Sequence, residues 1–66
     1  MSAQEQEWFE GRDKASFAQA ARKAVENAEK AYDERRLPHP TEYDIQLRVT
    51  AEGVLSDYIV LASPRS

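Results

Sequence analysis

The sequence predicts a small α+β domain in which one helix packs on a three-stranded antiparallel sheet. Three segments predict it: an alanine-rich segment with helical spacing at residues 17–36, a strictly alternating segment at residues 41–50, and an apolar segment at residues 54–63. A shorter aromatic segment at residues 7–10 precedes them and predicts a first strand. The predicted element order is therefore β-α-β-β.

The first predicted strand is short and contains Trp8 and Phe9. Neighbouring residues of an extended chain point to opposite sides, so the two rings are expected on opposite faces. Residues 11–15 are predicted to connect this strand to the helix, with Gly11 supplying an unusual backbone angle.

The helix is predicted to begin after Ser16, because Ser16 and Gln19 match a capping box, in which two side chains satisfy free N–H groups at a helix start. The prolines at positions 38 and 40 end it, since the residue before a proline is disfavoured in a helix. Small side chains let a helix approach its packing partner closely, so the apolar side of this helix is predicted to lie directly on the sheet. The apolar residues at helical spacing are Phe17, Ala20, Ala21, Ala24, Ala28, Ala31 and Tyr32.

The second strand is predicted to be half-buried, because apolar and polar residues alternate along it. Its apolar residues are Tyr43, Ile45, Leu47 and Val49. Residues 51–53 predict a turn. The crossover through the helix leaves room for the third strand between the other two, which predicts the sheet order 1-3-2.

The third strand differs from the second because both of its faces are largely apolar. One helix covers only one face of a sheet, so the other face of this strand needs a cover from outside the chain. This predicts self-association. The residues predicted to form the interface are Val54, Tyr58, Val60 and Ala62.

The composition also favours self-association. The chain has 66 residues, no cysteine, one histidine and a formal net charge of −3. A domain of this size buries only about 60% of the surface of its unfolded chain, so small domains depend on disulfides, metals or association. Disulfides are excluded here, and zinc sites usually use several Cys or His ligands.

The acidic balance disfavours nucleic acid and anionic membranes as partners. No apolar run approaches the roughly 18 residues of a membrane span, and the polar N-terminus has no signal-peptide pattern. We therefore expect a single cytoplasmic domain over residues 1–66, with a flexible tail at residues 1–5.

The candidate ligand-binding residues are Trp8, Tyr43 and Tyr58, whose rings can stack on a planar ligand or serve instead as core or interface anchors. His39 lies between two prolines and is interpreted as a solvated loop residue. The acidic residues include candidates for a calcium site but lack EF-hand spacing, and ordinary solubility is the alternative. No nucleophile–base pair can be named, so the chain is predicted not to be an enzyme.

A family resemblance extends over residues 11–62. Five residues have the spacing of the first turn and alanine-rich helix of the dodecin family: Gly11, Ser16, Phe17, Ala20 and Ala24. The segment at residues 57–60 resembles the last strand of that family. The resemblance implies a hollow dodecamer of β-α-β-β chains that binds flavins in pairs.

The flavin-contacting residues of the family are not matched. Flavin-binding members have a tryptophan in the second strand, where Tyr43 is the nearest aromatic residue here, and a glutamine in the last strand, where Ile59 stands. The Thr-Ser of their first turn is replaced by Arg12 and Asp13. We therefore predict a dodecin-like homo-oligomer that binds or stores a small molecule or cation, with the cofactor left open. The alternative is a small acidic interaction module whose sheet is covered by a different protein.

Overall fold

The computed structural model describes residues 6–52 and 54–65. The elements are β1 (Phe9–Asp13), α1 (Phe17–Glu34), β2 (Tyr43–Glu52) and β3 (Val54–Pro64). The strands form one antiparallel sheet in the order β1-β3-β2. This confirms the predicted element order and the central position of the third strand. The predicted tail at residues 1–5 lies outside the described residues.

β1 lies farther along the chain than predicted, because Gly11 is inside the strand and pairs with Val60. The role of Gly11 is to leave space for the helix. A Cβ atom at position 11 would lie 2.1 Å from the carbonyl oxygen of Ala20 and 2.3 Å from the amide nitrogen of Ala24. The backbone of α1 therefore touches the backbone of β1, and only glycine fits at this contact.

The turn between β2 and β3 is shorter than predicted. Residues 51 and 52 belong to β2, and Gly53 lies outside the described residues. The register of the β2–β3 pair also shifts between Thr50 and Ala51. A shift of this kind marks a β-bulge, which breaks the regular alternation of side chains at that end of the sheet.

α1 ends at Glu34, two residues before the predicted end. The N–H of Leu37 donates a hydrogen bond to the carbonyl of Tyr32 (2.9 Å), and the N–H of Arg36 donates one to the carbonyl of Asp33 (3.0 Å). Arg36 itself has a positive φ of 59°. These bonds form a Schellman motif, which satisfies the last helical carbonyls and turns the chain away from the helix axis.

The core lies between α1 and the half of the sheet formed by β1 and β3, which are the two strands that the helix contacts. As predicted, the alanine side of the helix lies directly on the sheet. Six apolar residues are buried in the described part of the chain and four of them are alanines, so the core is thin. The six are Ala20, Ala24, Ala28, Ile59, Val60 and Ala62.

The helix covers the face of β3 that was predicted to contact another chain. Val60 and Ala62 are fully buried beneath α1. Tyr58 packs edge-to-face on Phe17, with ring centroids 4.7 Å apart. Val60 and Ala62 therefore belong to the core of the chain itself and are not available to an interface, which corrects the prediction for these residues. The side chain of Val54 lies outside the described residues.

The opposite face of β3 points away from α1, yet Ile59 on that face is only 2% exposed. The sheet register places Arg12 of β1 and Arg48 of β2 directly beside Ile59, one on each side. Long arginine side chains can cover apolar surface with their aliphatic parts while the charged ends stay in water. The central position of β3 thus supplies a cover that the sequence pattern did not reveal.

Replacing Gly11 with alanine is expected to lower the free energy of unfolding by about 3 kcal/mol or more, because the added methyl group would overlap the backbone of α1. Urea unfolding measures the change. Glu10→Ala, at the neighbouring exposed position, is the control and should cost less than about 1 kcal/mol. A Gly11→Ala variant as stable as the control would contradict the close contact between helix and strand.

Candidate functional site

Among the side chains of the sheet that the structure describes, the large exposed apolar ones lie together on β2. Ile45, Leu47 and Val49 are 48%, 58% and 41% exposed, and we call these three residues the β2 stripe. The register places them opposite Ala62, Val60 and Tyr58 of β3. Directly opposed residues share a face of the sheet, so the β2 stripe lies on the helix side.

The β2 stripe is exposed because α1 does not extend over it. The helix packs mainly on β1 and β3, and of the β2 side chains that are described only Tyr43 packs against the core. The prediction that this face of the second strand is buried is therefore wrong for the three residues of the stripe within one chain. Contiguous apolar surface of this kind usually marks a contact with another molecule.

The other face of β2 is polar. It carries Asp44, Gln46 and Arg48, which alternate with the residues of the stripe. Asp44 Oδ2 accepts a hydrogen bond from the Gln6 amide at 3.2 Å, and Asp44 Oδ1 lies 3.5 Å from Arg65 Nε. Such exposed contacts add little to stability, so these side chains can be re-paired at low cost.

A cleft of about 430 Å³ lies where β1 leads into α1. Its lining places three cationic side chains beside two carboxylates, and Lys23 pairs with Asp13 and Arg12 with Asp57. The lining residues are Arg12, Asp13, Lys14, Ala15, Lys23 and Asp57.

Asp13 organises the cleft and the start of the helix. Its Oδ2 accepts hydrogen bonds from the N–H groups of Ala15 (2.8 Å) and Ser16 (3.3 Å), and its Oδ1 accepts one from Lys23 Nζ (3.1 Å). The bond from the Ala15 backbone, followed by that from Lys23, lowers the pKa of Asp13. Ser16 Oγ in turn accepts a bond from the Gln19 N–H at 3.2 Å, which is one half of the predicted capping box.

The three aromatic candidates do not form one site within a chain. Tyr43 lies opposite Pro64 at one end of β3, whereas Tyr58 lies six residues away along that strand, a separation of roughly 20 Å. Trp8 is 38% exposed and precedes β1. Their role in ligand binding stays a prediction.

Tyr43 is held largely away from water. Among the described residues its hydroxyl has no hydrogen-bond partner. Burial, and then the nearby Glu29 and Tyr32, raise the pKa of Tyr43. The ring packs against the core, so within one chain it does not offer an open face for stacking.

His39 has a partner that the sequence reasoning did not find. Its Nε2 lies 2.6 Å from Asp33 Oδ1, and its Nδ1 lies 3.9 Å from Glu29 Oε2. The Schellman motif reverses the chain after the helix and so returns His39 to the last helical turns. The pair is exposed and joins the loop to α1.

In residues 6–52 and 54–65, no three ligating side chains gather as a metal site would require. The helix in this part of the chain lacks the length and apolarity needed to cross a membrane.

Asp13→Asn is expected to weaken the dependence of the free energy of unfolding on pH at acidic pH. Because the folded-state pKa of Asp13 is lowered, its carboxylate stabilises the fold above the ordinary aspartate pKa of about 4, and this contribution is lost as the pH falls. Thermal unfolding between about pH 2 and pH 7 should show wild type and variant converging in acid. Lys14→Gln, in the same cleft, should leave the shape of the curve unchanged. A difference between Asp13→Asn and wild type that is the same at every pH would contradict this role.

Comparison of the chain with protein-family models, with curated proteins and with solved structures finds no match. Its function is therefore inferred from its own geometry.

Proposed function

We propose that this chain is a subunit of a dodecin-like homo-oligomer that binds or stores a small ligand or ion. The observation that carries the proposal is the exposed β2 stripe, which lies beside the core on the helix side of the sheet. Other copies of the chain cover it. We propose a cytoplasmic location for the assembly, because a sequence without cysteine is compatible with a reducing compartment.

A thin core supports self-association. The largest fully buried apolar side chain among the described residues is that of Val60, and most of the other buried apolar residues are alanines. Domains of this size bury too little surface to be stabilised strongly by one core. Contacts between copies supply the burial that a single chain lacks.

The free energy gained by burying the β2 stripe is consistent with self-association. Full burial of a Val, Leu or Ile side chain contributes about 1.5–3 kcal/mol, so covering three half-exposed side chains is worth roughly 3 kcal/mol per chain. Association of two chains costs at least about 4 kcal/mol in lost freedom. The β2 stripe of two copies is thus enough to offset the lower end of that cost, and further contacts beside it set the affinity.

The ligand part of the proposal rests on the cleft at the junction of β1 and α1. Its mixed charges suit a small polar molecule or ion, and Asp13 holds its geometry through bonds to the backbone and to Lys23. The aromatic candidates Tyr43 and Trp8 lie at the other end of the sheet, away from this cleft.

Leu47→Lys is expected to reduce the solution mass toward that of one chain without unfolding it, because a charge is placed on the most exposed residue of the β2 stripe. Sedimentation velocity on wild type and variant measures the mass, and circular dichroism verifies the fold. Ala18→Lys adds the same charge at an exposed helical position and should keep the wild-type mass. A wild-type protein that is a stable monomer would contradict the proposal. A monomer that co-purifies with a fixed different protein would favour the interaction-module alternative.

Riboflavin fluorescence is expected to stay unquenched at micromolar protein. Ile59 stands where the family has its polar flavin contact, and it is both apolar and 2% exposed, while β2 contains no tryptophan. A ligand held only by stacking would lack the polar groups that fix small molecules in their sites. Strong quenching at one flavin per chain or fewer would contradict this expectation and assign the assembly a flavin.

A further inference from the structure

The outer edge of β2 is a second unpartnered surface. β2 has 10 residues and is the last strand of the sheet, hydrogen-bonded to β3 on one side only. The other edge therefore presents N–H and C=O groups that no strand of the described chain pairs. Long edge strands without a Pro or bulge to interrupt them are ready to pair with another strand. The register shift of β2 lies beyond Thr50, so the edge is regular from Tyr43 to Thr50.

The two charged residues in the regular part of β2, from Tyr43 to Thr50, are arranged symmetrically about Gln46. Asp44 and Arg48 lie two residues to either side of it, on the polar face of the strand. Within the described residues, no ion pair involves Arg48, and the ion pair that Asp44 makes with Arg65 is exposed. A strand with one acid and one base at equal distances from its centre is complementary to a second copy of itself in the antiparallel direction.

Only some registers between two copies are permitted. Opposed residues must share a face, so stripe residues face stripe residues and polar residues face polar ones. Centring the pair on Asp44 would oppose two carboxylates, and centring it on Arg48 would oppose two guanidinium groups, both of which are unfavourable. Centring it on Ile45 or Leu47 opposes no like charges but does not pair Asp44 with Arg48. Centring it on Gln46 places Asp44 opposite the partner's Arg48 at two positions.

We propose that two copies pair antiparallel through the outer edges of β2, with Gln46 at the twofold axis. The inference rests on the proposed self-association and names its interface. On the helix side, Ile45 meets the partner's Leu47 and Tyr43 meets the partner's Val49, so the two stripes contact each other side by side. On the polar side, two Asp44–Arg48 pairs form between the chains. The two sheets become one continuous sheet of six strands.

Gln46→Cys tests the register directly, because the chain has no cysteine of its own. Residues directly opposed in an antiparallel pair have Cα atoms about 4.5–5.5 Å apart, which is within the range of a disulfide. Mild oxidation is expected to convert most of the variant into a disulfide-linked dimer. Arg48→Cys is the matched control, since two such residues would lie about 13 Å apart along the strands and should not cross-link. Equal cross-linking of the two variants, or none of Gln46→Cys, would overturn the register.

Charge reversal provides a second, independent test. Asp44→Arg or Arg48→Asp alone opposes like charges at two places and is expected to weaken self-association about tenfold or more at low salt. The double variant Asp44→Arg/Arg48→Asp restores opposite charges and is expected to return to within about threefold of wild type. Sedimentation over a concentration series measures the dissociation constants.

The outcomes separate the two proposals. A wild-type chain that stays monomeric overturns both self-association and this interface. A wild-type oligomer whose double variant remains as weak as the single variants overturns the interface alone and leaves self-association standing.

Discussion

The contact between the backbones of α1 and β1 at Gly11 determines which parts of the sheet the helix covers. Gly11 has no side chain, and Ala20 and Ala24 have the smallest ones that a helix readily accepts, so the two elements meet at backbone distance. This contact fixes the helix over the β1 and β3 side of the sheet. A single helix held there leaves Ile45, Leu47 and Val49 of β2 uncovered, and the exposed β2 stripe is the direct consequence.

The same contact makes the core thin. Close approach requires alanines along the helix, and alanines bury little apolar surface. The larger apolar side chains of the sheet are then divided between β3, which the helix and the flanking strands cover, and β2, which they do not. A small chain built in this way gains stability by covering β2 with another copy. Assembly and fold therefore both depend on the close contact between α1 and β1.

The sequence predicted the features that depend on the local spacing of residues. It did not predict those that depend on contacts between distant segments of the chain. The alanine spacing predicted the helix and its buried side, and the apolar character of β3 predicted its central place. Gly11 was assigned to a turn because nothing local shows that a helix backbone lies against it. Alternation identified the apolar face of β2, but it does not show how far a helix extends. Arg12 and Arg48 flank Ile59 only once the sheet has formed, so the cover they supply could not be predicted from the pattern of β3.

Hydrogen exchange at β2 tests most directly whether other copies cover this strand. The N–H groups of β2 that point away from β3 have no partner strand in one described chain, whereas β3 has a strand on both sides from Tyr58 to Ala62. If copies pair through β2, these outer N–H groups exchange slowly in a concentrated sample and rapidly after dilution, while the β3 groups stay protected throughout. Rapid exchange of the outer β2 groups at every concentration, in a protein whose β3 groups remain protected, would contradict the account.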